Sequence, residues 1–189
     1  MTCTGAGAAV TRPGDEVAAG ALGGLEERVR RYLRDHHTMT LATAGPHAGA
    51  EASGEPAGRA APVPHAASVF YAVDDKLRLV FLSKPTSAHG LHIGAAAPVA
   101  VTVTEQYDDW ALIQGVQMWG VAKRVTGAAK AAAMAVYLLR FPFVRDLMEQ
   151  PRLAASLRTV AVYRVDPKRV AFTDNTTGVF GREVLDLKG

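Results

Sequence analysis

The chain has 189 residues, of which 49% are hydrophobic, and a formal net charge of +3. This length suits one domain with its own core, and the scattered Lys and Arg residues exclude a basic nucleic-acid-binding stretch. Its one cysteine, Cys3, excludes a disulfide within the chain and fits a reducing compartment. No apolar run is long enough to span a membrane and no secretory pattern is visible, so the sequence predicts a cytoplasmic protein that binds no membrane.

The N-terminal part predicts a tail followed by a helix and a strand. Residues 1–23, rich in Ala and Gly, predict a disordered tail, and residues 24–189 predict one domain. An apolar face at helical spacing predicts an amphipathic helix from Leu25, and the β-branched run Thr38–Thr43 predicts a strand. The Gly-, Pro- and Ala-rich segment 44–64 predicts a low-complexity insertion loop.

The centre of the chain predicts a hairpin that runs into a helix. Apolar residues alternate over 68–73 and over 77–82, on either side of the polar break 74–76, as two paired strands require. Pro85 ends the second strand, and Thr86 and Ser87 are suitable N-caps for a helix over 86–95. No acid lies between Lys84 and Gly94. The segment therefore suits either a phosphate site or an ordinary capped helix with solvated basic neighbours.

The C-terminal half predicts further strands with helices between them. Strands are expected over 98–104 and 111–125, with bulges or close backbone approach at Gly115 and Gly120. A helix capped by Thr126 is expected over 126–140, with further helical turns over 144–150. Strands over 158–165 and 168–173 flank a turn at Asp166-Pro167, and a last strand is expected over 179–187. Because the strands are consecutive and helices fill corners, the order predicts a closed antiparallel barrel with helices outside.

Three motifs in this order resemble a known family. The second hairpin strand continues as FLSKPTSAH (81–89), with Ser87 and His89 at the helix start; YLLRFPFVR (137–145) and FTDNTTGVFG (172–181) follow. Over roughly residues 25–187, the chain resembles the FMN-binding split barrels of the pyridoxamine 5′-phosphate oxidase superfamily, and most closely the bacterial YhbP-like group.

The resemblance implies a mainly β fold, a six-stranded antiparallel split barrel with flanking helices, forming a homodimer with FMN at the interface. It implies a flavin-dependent oxidoreductase or flavin reductase acting on a small molecule, with the redox chemistry supplied by the flavin. It assigns no catalytic side chain and no metal. The resemblance implies that the phosphate is bound by Ser83, Ser87 and His89, with Lys84 and Thr86 beside them. It implies that the backbone of Ser68, Val69 and Phe70 runs along the flavin ring. The long strand of the partner subunit would contribute Gln117 and Trp119.

The chain departs from the oxidases of this superfamily at several positions. The uncharged Ala66, Tyr71 and Ala88 stand where those oxidases carry basic residues, and residues 180–189 lack their C-terminal Arg and His pattern. These departures argue against oxidation of pyridoxamine phosphate itself. The same fold with a deazaflavin coenzyme or haem, and a flavin-binding module without turnover, are the alternatives.

Two polar segments keep more than one interpretation. His36 and His37 suit a helix C-terminus or a haem or metal site, and neighbouring side chains diverge too much in a strand to share one metal easily. Asp174-Asn175-Thr176 suits either an Asx-type turn that closes the barrel edge or a lining of the flavin or dimer cleft.

Overall fold

The structure, a computed structural model, describes residues 13–45, 61–150, 152, 155, 158–178 and 181–187, and side chains from Gly24 onward. It contains four α-helices and seven β-strands among these residues. The helices are α1 (Pro13–Asp35), α2 (Ala88–Ile93), α3 (Gly127–Arg140) and α4 (Phe143–Glu149). The strands are β1 (Thr38–Gly45), β2 (Val63–Val73), β3 (Leu79–Ser83), β4 (Ala96–Thr104), β5 (Gln114–Arg124), β6 (Ala161–Asp174) and β7 (Arg182–Asp186).

Six of the strands close into an antiparallel barrel. The order is β3-β2-β1-β4-β5-β6-β7, and a further pairing of β3 with β6 closes the first six strands on themselves. Closure removes most of the open edges that a flat sheet would expose. The predicted six-stranded barrel with helices outside is confirmed, and β7 extends the sheet along the end of β6.

Strand β6 is continuous, so the predicted turn at Asp166-Pro167 is wrong. One edge of β6 pairs with β5, and the other edge pairs first with β3 and then with β7. Pro167 lies opposite Gly120, where the register shifts between Trp119 and Gly120. A bulge tolerates proline because the regular ladder is already interrupted there. A Cβ on Gly120 would lie 2.3 Å from the Asp166 carbonyl oxygen, which explains the glycine.

Two apolar clusters hold the fold. The larger one fills the barrel and includes Leu41, Phe81 and Met118, together with Val29 and Leu33 of α1. The smaller one packs α3 and α4 on the outer surface of β3 and β6; its members include Val80, Tyr137, Phe141, Val144 and Val162. No single described helix is long and apolar enough to cross a membrane; α3 and α4 meet that test only as a pair bent by 110°.

The N-terminal helix begins earlier than predicted. Its backbone is helical from Pro13, whereas the sequence analysis expected a tail up to residue 23; residues 1–12 lie outside the described residues. Proline is favoured at the first position of a helix, and the alanines that follow have high helix propensity.

The predicted insertion loop is narrower at both ends than expected. β1 continues to Gly45 and β2 begins at Val63, and these two residues pair. Residues 46–60 of the expected loop lie outside the described residues.

Further details of the helices and strands differ from the prediction. β3 begins at Leu79, because Leu77 has a φ of 57° and belongs to the turn. Thr126 is the N-cap position of α3 but makes no capping side-chain hydrogen bond. The last strand begins at Arg182, and residues 179 and 180 of the expected strand lie outside the described residues.

Candidate functional site

The barrel opens between β2 and β3. These strands pair only over Tyr71–Val73 and Leu79–Phe81, after which β3 continues along β6 alone. The outer edge of β2 from 63 to 70 therefore has no strand partner among the described residues. Continuing the register by two residues from the pair Tyr71–Phe81 brings Ser83 opposite Val69. We call the gap between this unpaired edge and the start of α2 the cleft; the His89 ring of α2 stacks on the His65 ring of β2 there.

Three of the predicted phosphate-binding side chains converge at the β3–α2 junction. The Ser83 hydroxyl lies 2.5 Å from His89 Nε2 and 3.2 Å from the Ser87 hydroxyl. Ser87 caps α2: its Oγ accepts from the Gly90 N–H at 3.2 Å and donates to the Lys84 carbonyl at 2.7 Å. The sequence separates these groups by up to six positions, and the turn after Ser83 brings them together.

A glycine allows the helix to approach this turn closely. A Cβ on Gly90 would lie 2.4 Å from the carbonyl oxygen of Lys84 and 2.9 Å from that of Pro85. Such distances are shorter than van der Waals contact, so any larger side chain must displace α2. The position of Ser87 and His89 relative to β3 therefore depends on this glycine.

His89 is a buried, neutral imidazole. It is 8% exposed, and its Nδ1 has no hydrogen-bond partner among the described residues. Burial lowers the pKa of His89, and the neighbouring His65 and His92 lower it further. The first turn of α2 contains no acidic residue. An anion bound beside His89 would reverse this balance and favour the protonated form.

His65 belongs to the same cluster, although the sequence analysis did not select it. Its ring stacks on His89 at 5.9 Å between centroids and meets the His92 ring edge-on at 6.0 Å. Thr43, which lies opposite His65 on β1, contacts His92 Nδ1 at 3.0 Å. The alternation of residues along β2 could have indicated it, because His65 lies on the same face of the strand as Val69 and Tyr71. No group of three or more His, Cys, Asp or Glu among the described residues could hold a metal ion, and that includes this cluster.

The other predicted residues near the cleft are more exposed. The side chains of Lys84 and Thr86 extend into solvent at the junction, and those of Ser68 and Phe70 point outward from β2. Val69 is half-buried beside the open edge. The structure thus brings Ser83, Ser87 and His89 into direct contact, and their role in cofactor binding stays a prediction.

Gln117 and Trp119 lie on a different surface, the outer face of β1, β4 and β5. A cross-strand row joins Ser68, Thr40, Thr102 and Gln117, and the next row joins Ala66, Ala42, Ala100 and Trp119. A shallow groove of about 270 Å³ follows these rows. Gln117 lies three strands from Ser68, roughly 14 Å at ordinary strand spacing. Within one chain it therefore does not reach the β2 edge.

Asp174 connects three elements of the fold. Its carboxylate accepts hydrogen bonds from Gln114 Nε2 at 3.0 Å, from the Thr176 amide at 3.2 Å and from Arg28 at 3.2 Å. Burial opposes ionisation, but the hydrogen bonds outweigh it, and the pKa of Asp174 is lowered. This geometry supports the turn interpretation of the Asp174-Asn175-Thr176 segment.

His36 is used within the fold. Its Nδ1 is 2.7 Å from the Tyr32 carbonyl, its Nε2 is 2.7 Å from Glu105 Oε1, and its ring stacks on Tyr32 at 4.0 Å. His37 is exposed and its ring lies 6.0 Å from that of Phe141. The structure therefore offers no support for these two residues as ligands of one metal.

Comparison with known proteins gives consistent matches at the levels of family and fold. The family described as pyridoxamine 5′-phosphate oxidase matches residues 25–177. The UPF0306 protein YhbP of Escherichia coli O157:H7 is 34% identical over 124 residues, covering 65% of this chain and 76% of that protein.

Two solved structures share the fold at low sequence identity. A conserved hypothetical protein of Mycobacterium tuberculosis has a TM-score of 0.60 at 20% identity, covering 87% of this chain and 92% of that one. HutZ, described as a haem storage protein of Vibrio cholerae, has a TM-score of 0.55 at 14% identity, covering 86% and 94%.

Proposed function

Because the chain belongs to the pyridoxamine 5′-phosphate oxidase family, in the group that contains YhbP, we propose that it binds FMN in the cleft between β2 and α2. The proposal rests on one observation: the unpaired edge of β2 has a cluster of polar side chains at one end. The edge, over 63–70, offers backbone donors and acceptors to a heterocycle. Ser83, Ser87 and His89 offer hydroxyls and an imidazole to a phosphate.

The residues present fit an anionic, planar group. His89 Nδ1 is a buried polar atom without a partner among the described residues, and a phosphate oxygen would satisfy it. Lys84 stands next to the cluster and its side chain can swing toward a bound anion. The absence of an acid from the first turn of α2 removes the repulsion that would oppose such a group.

The protein acts, in this proposal, as an oxidoreductase or flavin reductase on a small molecule. Bound FMN would supply hydride or electron transfer. The chain's own residues hold and orient the cofactor: the hydroxyls of Ser83 and Ser87 fix the phosphate, and the β2 edge aligns the ring. Ala66, Tyr71 and Ala88 carry no charge where the family's oxidases are basic, which argues for a substrate other than pyridoxamine phosphate.

We propose that the working form is a homodimer built on the outer face of β1, β4 and β5. Ala42 and Ala100 on this face, with Ala66 beside them on β2, permit another sheet to approach closely, and Trp119 is 41% exposed next to Ala100. A second copy would cover this face and supply Gln117 to a cleft that it does not reach within one chain.

Haem is the second candidate for the same cleft. The three imidazoles of His65, His89 and His92 lie together there, and HutZ, which shares the fold, is described as a haem storage protein. One of these imidazoles would then serve as the axial ligand.

The visible absorption spectrum of the purified protein separates the two candidates. Protein incubated with FMN and then freed of excess ligand is expected to retain a flavin band in a 1:1 ratio to the chain. A Soret band after incubation with haemin, lost in His89→Ala or His65→Ala, would favour haem instead. Retention of neither chromophore would refute both.

A further inference from the structure

A second cavity lies on the far side of the β3–α2 junction, between the helices α3 and α4 and the outer surface of the barrel. Its volume is about 390 Å³, and it is open to solvent on one side. This volume is within the range of small-molecule sites in proteins. The lining residues are Leu82, Lys130, Met134, Val144, Met148, Arg158, Val160 and Val162.

The walls of this cavity are apolar. Val144 and Val162 are 5% and 3% exposed and form its floor, and Met134 and Met148 border it from the two helices. Because these apolar walls offer few hydrogen bonds to water, replacing the water beside them with an apolar group is favourable. Methionine walls adapt readily to the shape of such a group.

The rim of the cavity is cationic. Lys130 and Arg158 are exposed, neither forms an ion pair with a described residue, and no acidic residue is among the lining residues. Lys130 lies in the first turn of α3, where the helix dipole disfavours a positive charge and where no acid compensates it. Lys130 therefore does not stabilise the helix electrostatically. It would stabilise an anion bound at the rim of the cavity.

We propose that this cavity binds a small amphipathic anion, a free carboxylate with an unbranched apolar chain. The carboxylate would lie between Lys130 and Arg158, and the chain would cover Leu82, Val144 and Val162. Leu82 and Ser83 are consecutive in β3 but point to opposite sides, so this site is separate from the cleft proposed for FMN. The proposal does not depend on the identity of the cofactor.

Isothermal titration of the full-length protein with decanoate, kept below its micellar concentration, tests the proposal. We expect saturable binding of one decanoate per chain. The Lys130→Gln/Arg158→Gln double variant should weaken it at least about tenfold, because a charge-assisted contact is lost on each side. Decanol has the same chain and no charge, and its affinity for the wild-type protein should be lower than that of decanoate by a similar factor. Prior loading with FMN should leave the wild-type affinity unchanged.

Two further variants make the test specific. Arg145→Gln removes an exposed cation of α4 that does not line the cavity, and it should bind decanoate as the wild type does. Val160→Trp places bulk in the cavity and should abolish binding while leaving FMN retention intact. Three results would each overturn the proposal. They are an equal affinity for decanoate in the double variant and the wild type, competition between FMN and decanoate, and binding to anionic lipid vesicles without binding to decanoate.

Discussion

At the residue scale, His89 combines burial with a polar atom that the described residues leave unsatisfied. Such an atom usually has a water or ligand partner in the working protein. Ser87 differs, because its hydroxyl already makes two hydrogen bonds as a helix cap. We therefore expect the two side chains to contribute differently to the cleft, His89 mainly to ligand binding and Ser87 to both binding and helix position.

The first prediction concerns FMN affinity. Ser87→Ala and His89→Ala should each weaken binding by roughly 1–3 kcal/mol. His89→Ala removes a donor to the charged phosphate, and Ser87→Ala removes a hydroxyl that would turn from the Lys84 carbonyl to the phosphate. Fluorescence titration of FMN measures the change. His37→Ala, which alters an exposed histidine outside the cleft, should bind normally. Wild-type affinity in both cleft variants would show that the phosphate does not lie there.

The second prediction concerns pH. The pKa of His89 is lowered in the folded protein, so below the ordinary histidine value of about 6.5 the unfolded chain takes up a proton that the folded state resists. This contribution to stability is therefore present above about pH 6.5 and decreases as the pH falls below it. Calorimetric Tm values should show a flatter acid-side dependence for His89→Gln than for the wild type or His37→Gln. Parallel curves would contradict a neutral buried His89.

The third prediction concerns Asp174. Asp174→Ala leaves Gln114 and Arg28 without their acceptor, and we expect a loss of about 2–4 kcal/mol in the free energy of unfolding at pH 7. Because the pKa of Asp174 is lowered in the fold, the wild-type advantage should disappear as the pH falls through the acidic range. Denaturant unfolding measures both effects. Asp186→Ala, which breaks an exposed pair with Arg169, is the control and should change the free energy of unfolding by less than about 0.5 kcal/mol. If Asp186→Ala lost as much stability as Asp174→Ala, the special role of Asp174 would be contradicted.

At the element scale, the sequence predicts the hairpin and the β3–α2 junction well because their signals are local. Alternation defines β2 and β3, and Pro85 with Ser87 marks the change to helix. The Asp166-Pro167 turn fails for the opposite reason: a bulge opposite Gly120 on β5 accommodates Pro167, and that contact exists only after folding. Periodicity places His65 on the same face of β2 as Val69 and Tyr71, but it does not reveal the contact with His89 and His92, which lie more than twenty positions away in the chain.

The fourth prediction tests the placement of α2. Gly90→Ala should force the helix away from the Lys84 and Pro85 carbonyls, which separates His89 from Ser83. Both Tm and FMN retention are expected to fall. Gly24→Ala is the matched control, because a Cβ there has no atom within 4 Å, and it should stabilise α1 by roughly 0.5–1 kcal/mol. Normal FMN retention in Gly90→Ala would show that the close approach of α2 is not required.

At the scale of the whole molecule, the closed barrel leaves one broad face of small residues on β1, β4 and β5. The sequence analysis does not predict this face, since its rows are assembled from strands far apart in the chain. The family resemblance predicts the dimer, and the spacing of Gln117 and Ser68 within one chain agrees with a contribution from a second copy.

The fifth prediction tests this face. Ala42→Arg places a long cation among the small residues and should convert the proposed dimer into monomers, as measured by sedimentation or light scattering, with loss of FMN retention. Far-ultraviolet circular dichroism should remain unchanged. Ala135→Arg, on the exposed surface of α3, should stay dimeric. A dimer in Ala42→Arg would place the interface elsewhere.

The opening between β2 and β3 also bears on solubility. An uncovered strand edge is a template on which another chain can add a strand, and natural proteins usually protect such edges. Over 63–70 the described residues that approach this strand include His89 and His92 of α2, which contact the His65 ring, and Phe141, whose ring lies 5.5 Å from that of Phe70. A cofactor seated along this edge would act as its cover. Cofactor supply would then determine how much of the newly made protein stays dispersed, as well as how much of it is active.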